Sequence, residues 1–380
     1  VEMKNRIGLG ISSRRELFDK QLILLEKLNR PPLLIRFYHH RGRKHWETAA
    51  DIAEDLSKMG YEVSAALVQD RRVALNSREW GDFLGTVLDL AAGHIERFEV
   101  GHAINRVKWG IWEPAEYGRM LESVAEMSCR YPGVGFMGPA VIDFEYPFVI
   151  AAMKRVPEGF VFNAVSHHLY VDRRGAPENR QEGFDALRKF ALGRAIARKY
   201  PASEDRFVIS EVNWPLKGTG EWSPVTSPYE SPGPRFNDPS VDEDEYADYM
   251  LRYFAAAVCS GMVDRVYWWR LVARGYGLVD DSNPDLWRER PAFTAMRHFL
   301  CVLGQSAFIK KLDAGNSSIH LLLFEDSGGD KTVMGWSSGQ PEKAPGMVGE
   351  RIETALGEDV SGPALLTGRP LYFRGYTGVS

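Results

Sequence analysis

Short apolar segments alternate with longer amphipathic segments along most of the chain. The short segments are rich in Val, Ile, Leu and Phe, which is typical of buried strands. They cover residues 7–11, 33–38, 63–68, 95–101, 134–137, 160–166, 207–210 and 263–269. The longer segments repeat apolar residues about every three or four positions, which predicts helices. These helices cover residues 14–28, 47–58, 80–92, 114–129, 148–155, 184–199, 245–260 and 291–303.

A strand followed by a helix, repeated eight times, predicts a parallel sheet that closes into a (β/α)8 TIM barrel. An open, doubly wound sheet would show a similar alternation. Such sheets often carry a glycine-rich phosphate-binding turn after the first strand. The residues at that point are Ile11-Ser12-Ser13-Arg14, which contain no glycine. The closed barrel is therefore the favoured fold.

The pattern changes after Leu303. Four short strand candidates, separated by Gly, Pro, Asp and Ser, cover residues 318–324, 331–336, 351–355 and 370–374. Strands at this spacing predict a small antiparallel β-sandwich. We place the domain boundary near Gly304, so that residues 1–304 form the barrel and residues 305–380 form the β domain.

Composition and charge exclude several classes of function. The net charge of −4 and the isoelectric point of about 6.2 provide no overall attraction to nucleic acid. No run of about 18 apolar residues is present, so no membrane span is expected. The three cysteines, Cys129, Cys259 and Cys301, are far apart and lack metal-ligand spacing, so they are expected to be buried free thiols. Free thiols favour a reducing compartment, so a cytoplasmic protein is expected, with a removed signal peptide as the alternative. No cofactor is expected.

Ionisable and aromatic residues follow nearly every predicted strand. Since barrel enzymes build their sites at the carboxyl ends of the strands, these residues are expected to line one face. They are Arg36, His39, His40, His102, Asn105, Arg106, Lys108, Asp143, Glu145, His167, His168, Tyr170, Glu211, Asn213, Trp214, Trp268, Trp269 and Arg270. A long connection follows the seventh strand, and its residues 221–238 are expected to cover the site, with Trp222 and Tyr229 as contacts.

Several of these strand ends resemble those of clan A glycoside hydrolases, especially family 39. The run Ser210-Glu211-Val212-Asn213-Trp214 resembles the strand that carries the nucleophile, and His168-Leu169-Tyr170 resembles the His-x-Tyr strand. Arg36 and the Tyr267-Trp268-Trp269 run match the second and eighth strands, and the C-terminal strands resemble the appended β domain.

The resemblance implies a retaining glycosidase with Glu211 as the nucleophile, its ionisation tuned by Tyr170 or Arg36. It implies that His168 and Asn105 position sugar hydroxyls and that Trp269 stacks on the ring. The full set of expected substrate contacts is Arg36, Asn105, Lys108, His168, Tyr170, Asn213, Trp214, Trp269 and Arg270.

One departure concerns the acid that protonates the leaving group. The fourth strand of the clan ends in Asn-Glu, whereas this chain has His102-Ala103. Alanine cannot transfer a proton, so His102, Asp143 or Glu145 would have to replace the glutamate. A rival reading is a catalytically silent carbohydrate-binding barrel. A metal-dependent hydrolase is a third reading, but the first strand lacks the His-x-His of such barrels, so no metal is expected.

Basic residues also gather at the predicted mouth of the barrel. A cleft lined with one sign of charge concentrates ligands of the opposite sign. The residues are Arg36, Arg41, Arg43, Lys44, Arg106, Lys108, Arg173, Arg174, Arg270 and Arg274. They suggest an acidic oligo- or polysaccharide, such as a bacterial surface glycan, and leave the sugar, the linkage, the anomeric outcome and the oligomeric state open.

Overall fold

The structure, a computed structural model, describes residues 1–172, 175–220 and 239–379. Within these residues, eight parallel strands close into a barrel in chain order, and the last strand pairs with the first. They are β1 (Ile7–Gly10), β2 (Leu33–Tyr38), β3 (Val63–Val68), β4 (Arg97–Val100), β5 (Gly135–Ile142), β6 (Ala164–His168), β7 (Phe207–Val212) and β8 (Arg265–Trp268). The predicted TIM barrel is confirmed.

The helices form a layer around the barrel. They are α1 (Phe18–Lys27), α2 (Arg43–Lys58), α3 (Arg71–Leu75), α4 (Ser77–Ala91), α5 (Pro114–Arg130), α6 (Tyr146–Met153), α7 (Ala186–Lys199), α8 (Glu243–Cys259) and α9 (Pro291–Leu303). Sequence analysis missed α3, which is too short to show a helical period. The Asp70 carboxylate caps it by accepting from the backbone N–H groups of Arg72 and Val73. None of the described helices is long and apolar enough to cross a membrane.

The barrel interior is apolar near the amino ends of the strands and polar near their carboxyl ends. Leu34, Met137, Ala164, Val208 and Tyr267 form a separate buried cluster inside the barrel. Side chains alternate along a strand, so residues two positions further on also face inward. Those residues are Arg36, Pro139, Ser166, Ser210 and Trp269, and all five are buried.

A β-bulge in β7 directs Glu211 into the barrel. Strict alternation would place Glu211 on the outward face with Ile209, since Val208 and Ser210 face inward. The pairing between β7 and β8 shifts register between Ile209 and Val212. A bulge of this kind re-aims a side chain, and Glu211 meets the inward-facing Arg36.

Gly10 makes room for Trp269, because a Cβ at this position would overlap Cε3 and Cζ3 of the indole. We expect Gly10→Ala to lower the free energy of unfolding by about 1–3 kcal/mol, as overpacking does. Gly81→Ala is the control, since a Cβ there meets nothing within 4 Å and helix α4 should gain about 0.5–1 kcal/mol. Urea denaturation measures both, and equal stability of Gly10→Ala and the parent would contradict the packing argument.

A β domain follows the barrel. Its main sheet is antiparallel, in the order β11 (Ala307–Lys311), β12 (Ile319–Glu325), β13 (Lys331–Ser337), β18 (Leu371–Arg374) and β16 (Arg351–Thr354). One face, with Phe324 and Trp336, joins the barrel core, and the other, with Leu321 and Phe373, has its own core. The remaining pairs are β9 (Val279–Asp280) with β10 (Arg288–Glu289), β14 (Glu342–Lys343) with β17 (Leu365–Leu366), and β15 (Met347–Val348) with β19 (Gly378–Val379).

Some sequence-based expectations were wrong. Cys129 and Cys301 are exposed and Cys259 is half-buried, because their helices turn other residues towards the core; all three are free thiols. Strand β5 extends to Ile142, beyond Met137, because the Gly138-Pro139 pair lies within the strand rather than after it. The expected cover formed by residues 221–238, with Trp222 and Tyr229, lies outside the described residues, as do Arg173 and Arg174.

Candidate functional site

Glu211 lies at the centre of a buried polar cluster near the carboxyl ends of the strands. Arg36 of β2 donates from Nη2 to Oε2 of Glu211, and Tyr170, just after β6, donates its hydroxyl hydrogen to Oε1. The side chains of Glu211 and Arg36 are each only 2% exposed. One carboxylate oxygen therefore has a charged partner from β2, and the other has a hydroxyl partner from the segment after β6.

These partners decide the ionisation of Glu211. Burial alone would raise the pKa of Glu211, but the positive charge of Arg36, the nearby His168 and the Tyr170 hydroxyl together hold the pKa below its usual value. Glu211 is therefore ionised at neutral pH, as a carboxylate nucleophile must be.

Trp269 forms one wall of the cluster. The Arg36 guanidinium carbon lies 3.3 Å from the centre of a Trp269 ring, and Arg270 approaches the same side chain at 5.4 Å. The Asn213 side-chain amide donates to the Trp269 carbonyl oxygen. The preceding Trp268 faces the helix layer and donates to the Tyr246 hydroxyl at 2.7 Å. Only Trp269 of the pair is inside the barrel, as strand alternation predicts.

Two histidines lie close to Glu211. The rings of His102 and His168 are 4.7 Å apart, and nitrogen atoms of both lie within 4.8 Å of a Glu211 oxygen and of each other. Gln69 holds the His102 backbone through two hydrogen bonds, of 2.8 and 2.9 Å. Burial, with the charges of Arg36, His168 and Lys108, holds the pKa of His102 well below its usual value. His102 is therefore neutral at neutral pH.

Sequence analysis missed two residues of this cluster, Glu99 and Ser210. Glu99 of β4 is paired in register with Met137, whose side chain lies in the interior cluster, and it is 1% exposed. Ser210 donates a hydrogen bond to Glu99 across the barrel, and His168 Nε2 lies 3.4 Å from the other Glu99 oxygen. The available signal was a carboxylate between the apolar residues Phe98 and Val100, one position before the end of β4.

Several buried polar atoms in this cluster have no hydrogen-bond partner among the described residues. A buried polar atom without a partner costs about 1–3 kcal/mol, so a group of them indicates a place for a polar ligand. They are Arg36 Nε and Nη1, His102 Nδ1, His168 Nδ1, Ser166 Oγ, Asn213 Oδ1 and Trp269 Nε1. The site can therefore offer both donors and acceptors to a polyhydroxylated molecule beside an aromatic ring.

Asp143 and Glu145 belong to a different cluster, around Arg106. Arg106 contacts Asp143 at 2.7 Å and Glu145 at 2.6 Å. Asn105 uses its amide group to hold the backbone of Ile142 and to donate to Glu145. The structure thus brings Arg36, Tyr170, His102, His168, Asn213 and Trp269 together around Glu211. In the other cluster, Asp143 and Glu145 pair with Arg106, and Asn105 binds Glu145 and the Ile142 backbone.

Two expected substrate contacts, Trp214 and Lys108, lie away from Glu211, and Ala103 is packed among apolar residues. Ala103 is fully buried against Ala66, Val68 and Trp109. Trp214 stacks on Trp268 at 5.7 Å, outside the barrel interior. Lys108 is half-buried and acts on His102 through its charge.

His102, His168 and Glu211 also form a group with spacing that could hold a metal ion. The guanidinium of Arg36 is already ion-paired with the same Glu211 carboxylate. A second cation next to this charge would be repelled. The residues present therefore fit a neutral or anionic ligand better than a metal ion.

Comparisons with known proteins give a fold and no sequence family. No family model matches the chain, and no curated protein matches it. Among solved structures, a family 51 α-L-arabinofuranosidase from Bifidobacterium longum has a TM-score of 0.63 at 12% identity, with 99% of this chain and 96% of that chain covered. The GH51 arabinofuranosidase from Xanthomonas axonopodis pv. citri has a TM-score of 0.58 at 13% identity, with 99% and 97% covered. A bacterial orthologue of human α-L-iduronidase has a TM-score of 0.60 at 12% identity, with 93% and 67% covered.

These neighbours are clan A glycoside hydrolases, and the chain has their fold of an eight-stranded barrel with a β domain. At such low identity, the likeness establishes the fold alone. The activity has to be argued from the site.

Proposed function

We propose that this protein is a retaining glycoside hydrolase that cleaves O-glycosidic bonds with Glu211 as its nucleophile. One observation carries the proposal. An ionised carboxylate, held between Arg36 and Tyr170, lies among buried polar atoms without partners and beside Trp269. Sugar hydroxyls would satisfy those atoms, and a sugar ring would stack on the indole.

In the first step, a Glu211 oxygen attacks the anomeric carbon and the bond to the leaving oxygen breaks. Arg36 and Tyr170 hold the attacking carboxylate in position and keep it ionised. Water then attacks the same carbon and releases Glu211. Both steps require a proton transfer, which typically contributes about 10²–10⁴-fold to the rate. By the sequence resemblance, Ala103 stands at the position of the clan's acid/base, and alanine cannot supply the proton.

The substrate that we propose is an acidic glycan. Arg270 lies beside Trp269, and no carboxylate within ion-pair distance of Arg270 is found among the described residues. Arg36 and Arg106, by contrast, are paired with Glu211 and with Asp143 and Glu145. Within the described part of the chain, Arg270 is therefore a guanidinium beside the proposed sugar platform that has no carboxylate partner. Its Nε donates to the Val272 carbonyl oxygen at 2.8 Å, and its remaining N–H groups can bind a sugar carboxylate.

The second candidate function is carbohydrate binding without catalysis. Ala103 favours it, because by the sequence resemblance this buried alanine takes the place of the clan's acid/base glutamate. The ionised state of Glu211 favours catalysis, because a pure binding site has less need of a buried carboxylate.

The test uses dinitrophenyl 2-deoxy-2-fluoro glycosides of L-arabinofuranose, D-xylose, D-glucose, D-galactose and L-iduronic acid. The activated leaving group needs little protonation, and the fluorine slows release, so a glycosyl-enzyme should accumulate. Mass spectrometry should find the adduct on the peptide that contains Glu211. We expect the iduronic acid probe to react faster than the neutral probes, and added salt to reduce the difference, because salt screens charges beyond about 8 Å.

The same panel separates the two candidates. If no probe labels Glu211 while oligosaccharides still bind, as measured by calorimetry, the protein is a binding barrel. If a neutral sugar labels Glu211 fastest and salt has no effect, the hydrolase proposal stands and the acidic substrate is rejected.

A further inference from the structure

Inside the barrel, the His168 ring lies close to two carboxylates, those of Glu99 and Glu211. Glu99 and His168 are 1% and 0% exposed, and their facing atoms, Oε2 and Nε2, are 3.4 Å apart. Ser210 donates to the other oxygen of Glu99, so the carboxylate is held from a second strand. The carboxylate is thereby oriented towards His168.

The Glu99 contact also determines which nitrogen of His168 is available. A hydrogen on Nε2 points at the Glu99 carboxylate, which leaves Nδ1 for another partner. Nδ1 of His168 is buried and has no partner within the described chain. A carboxylate that holds one ring nitrogen and leaves the other for the substrate is the orienting arrangement of nucleophile–base sites.

The distance between the His168 ring and Glu211 is suitable for the acid/base role that Ala103 cannot fill. In retaining glycosidases the nucleophile and the acid/base are about 5–5.5 Å apart. One of the two ring nitrogens of His168, Nδ1 or Nε2, lies within 4.8 Å of a Glu211 oxygen, and the two nitrogens of an imidazole are only about 2 Å apart. An imidazole there could reach the glycosidic oxygen of a sugar bound to Glu211.

We propose that His168 is the general acid and base of this site and that Glu99 is its positioning residue. The proposal rests on the hydrolase function given above. In the first step Nδ1–H of the imidazolium protonates the leaving oxygen while Glu211 forms its bond to the anomeric carbon. In the second step Nδ1 takes a proton from the attacking water, and the bond to Glu211 breaks with its electron pair returning to the carboxylate. The site ends as it began, with water as the only co-reactant.

The other candidates for this role are less suited. The pKa of His102 is held well below its usual value, so at neutral pH its ring is a neutral imidazole, which is a far weaker acid than an imidazolium. Asp143 and Glu145 are ion-paired with Arg106 in the neighbouring cluster. His102 is instead suited to accept a hydrogen bond from a sugar hydroxyl through Nδ1.

The experiment compares phenyl and 2,4-dinitrophenyl glycosides of the sugar that labels Glu211. For His168→Gln, we expect kcat/KM on the phenyl glycoside to fall by about 10²–10⁴-fold, and on the dinitrophenyl glycoside by less than about tenfold. Azide should speed turnover of the dinitrophenyl glycoside by this variant and give a glycosyl azide, because azide attacks without base assistance. Wild type should show no such rescue.

Glu99→Gln is expected to lower kcat on the phenyl glycoside by about ten- to a hundredfold, with KM and the dinitrophenyl rate little changed. A merely structural role of Glu99 would lower both rates together. His102→Asn is the matched control from the same cluster. It should slow both substrates by the same factor and show no azide rescue.

Labelling of Glu211 by the fluoro glycoside needs no acid, so it shows that each variant is folded with a working nucleophile. If wild type is not labelled, the hydrolase function itself fails. If His168→Gln is labelled but slows both substrates equally, or gains nothing from azide, the role of His168 is rejected while the hydrolase function remains.

Discussion

Glu211→Gln is expected to lower kcat/KM on aryl glycosides by at least about 10⁴-fold, since removal of a catalytic nucleophile has effects of this size or larger. Glutamine keeps the shape of the side chain but has no charge with which to attack the anomeric carbon. It also leaves the guanidinium of Arg36 without its buried counter-charge. Initial rates with the dinitrophenyl glycosides measure the loss, and oligosaccharide binding shows that the variant is folded.

Glu145→Gln provides the matched control, because Glu145 is also a carboxylate that follows a barrel strand. It is ion-paired with Arg106 rather than with Arg36. We expect its rate to stay within about tenfold of wild type. If Glu211→Gln kept more than a tenth of the wild-type activity, the nucleophile would have to be reassigned. The same would follow if Glu145→Gln lost as much activity as Glu211→Gln.

Arg36→Leu is expected to lower the free energy of unfolding by about 3–5 kcal/mol at neutral pH, because removal of one member of a buried ion pair leaves the other charge uncompensated. Arg36 also packs on Trp269, so the indole loses its cationic partner. Chemical denaturation of the variant and the parent measures the difference.

The destabilisation by Arg36→Leu should depend on pH. In wild type the pKa of Glu211 is lowered, so its ion pair stabilises the fold above the unfolded pKa of about 4.3, and this is lost as pH falls through the lowered value. Without Arg36, burial dominates and raises the pKa of Glu211. The difference in stability between wild type and variant should therefore grow from pH 4 to pH 7.

Arg43→Leu is the surface control. Arg43 pairs with Glu47 on the exposed side of α2, and its side chain is 70% exposed. Exposed pairs contribute little, so the expected change is within about 0.5 kcal/mol. If Arg36→Leu were as mild as Arg43→Leu, or equally destabilising at pH 4 and pH 7, the Arg36–Glu211 pair would not have the stabilising role described here.

The sequence alone predicted the barrel, because the hydrophobic patterns that indicate strands and helices lie within short segments of the chain. Strands β2 and β3 have the predicted bounds, since each is a continuous buried run with polar residues or turns on both sides. Helix α9 also has its predicted bounds, from Pro291 to the residue before Gly304. A period of 2 or of 3.6 is visible within a dozen residues, and eight repeats are sufficient to indicate the topology. Placing Arg36, His168, Glu211 and Trp269 at strand ends followed from the same pattern.

The tertiary structure decided which of those residues meet. The inward direction of Glu211 depends on a bulge that strand alternation does not reveal, and its ionisation depends on Arg36, which is 175 positions away in the chain. Glu99 lies in the site because β4 places it on the inward face, opposite Ser210 of β7. Asn105 follows a strand as a sugar ligand would, but its amide binds the backbone of Ile142. These contacts join strands on different sides of the barrel. They depend on closure and register, which no local pattern in the chain records.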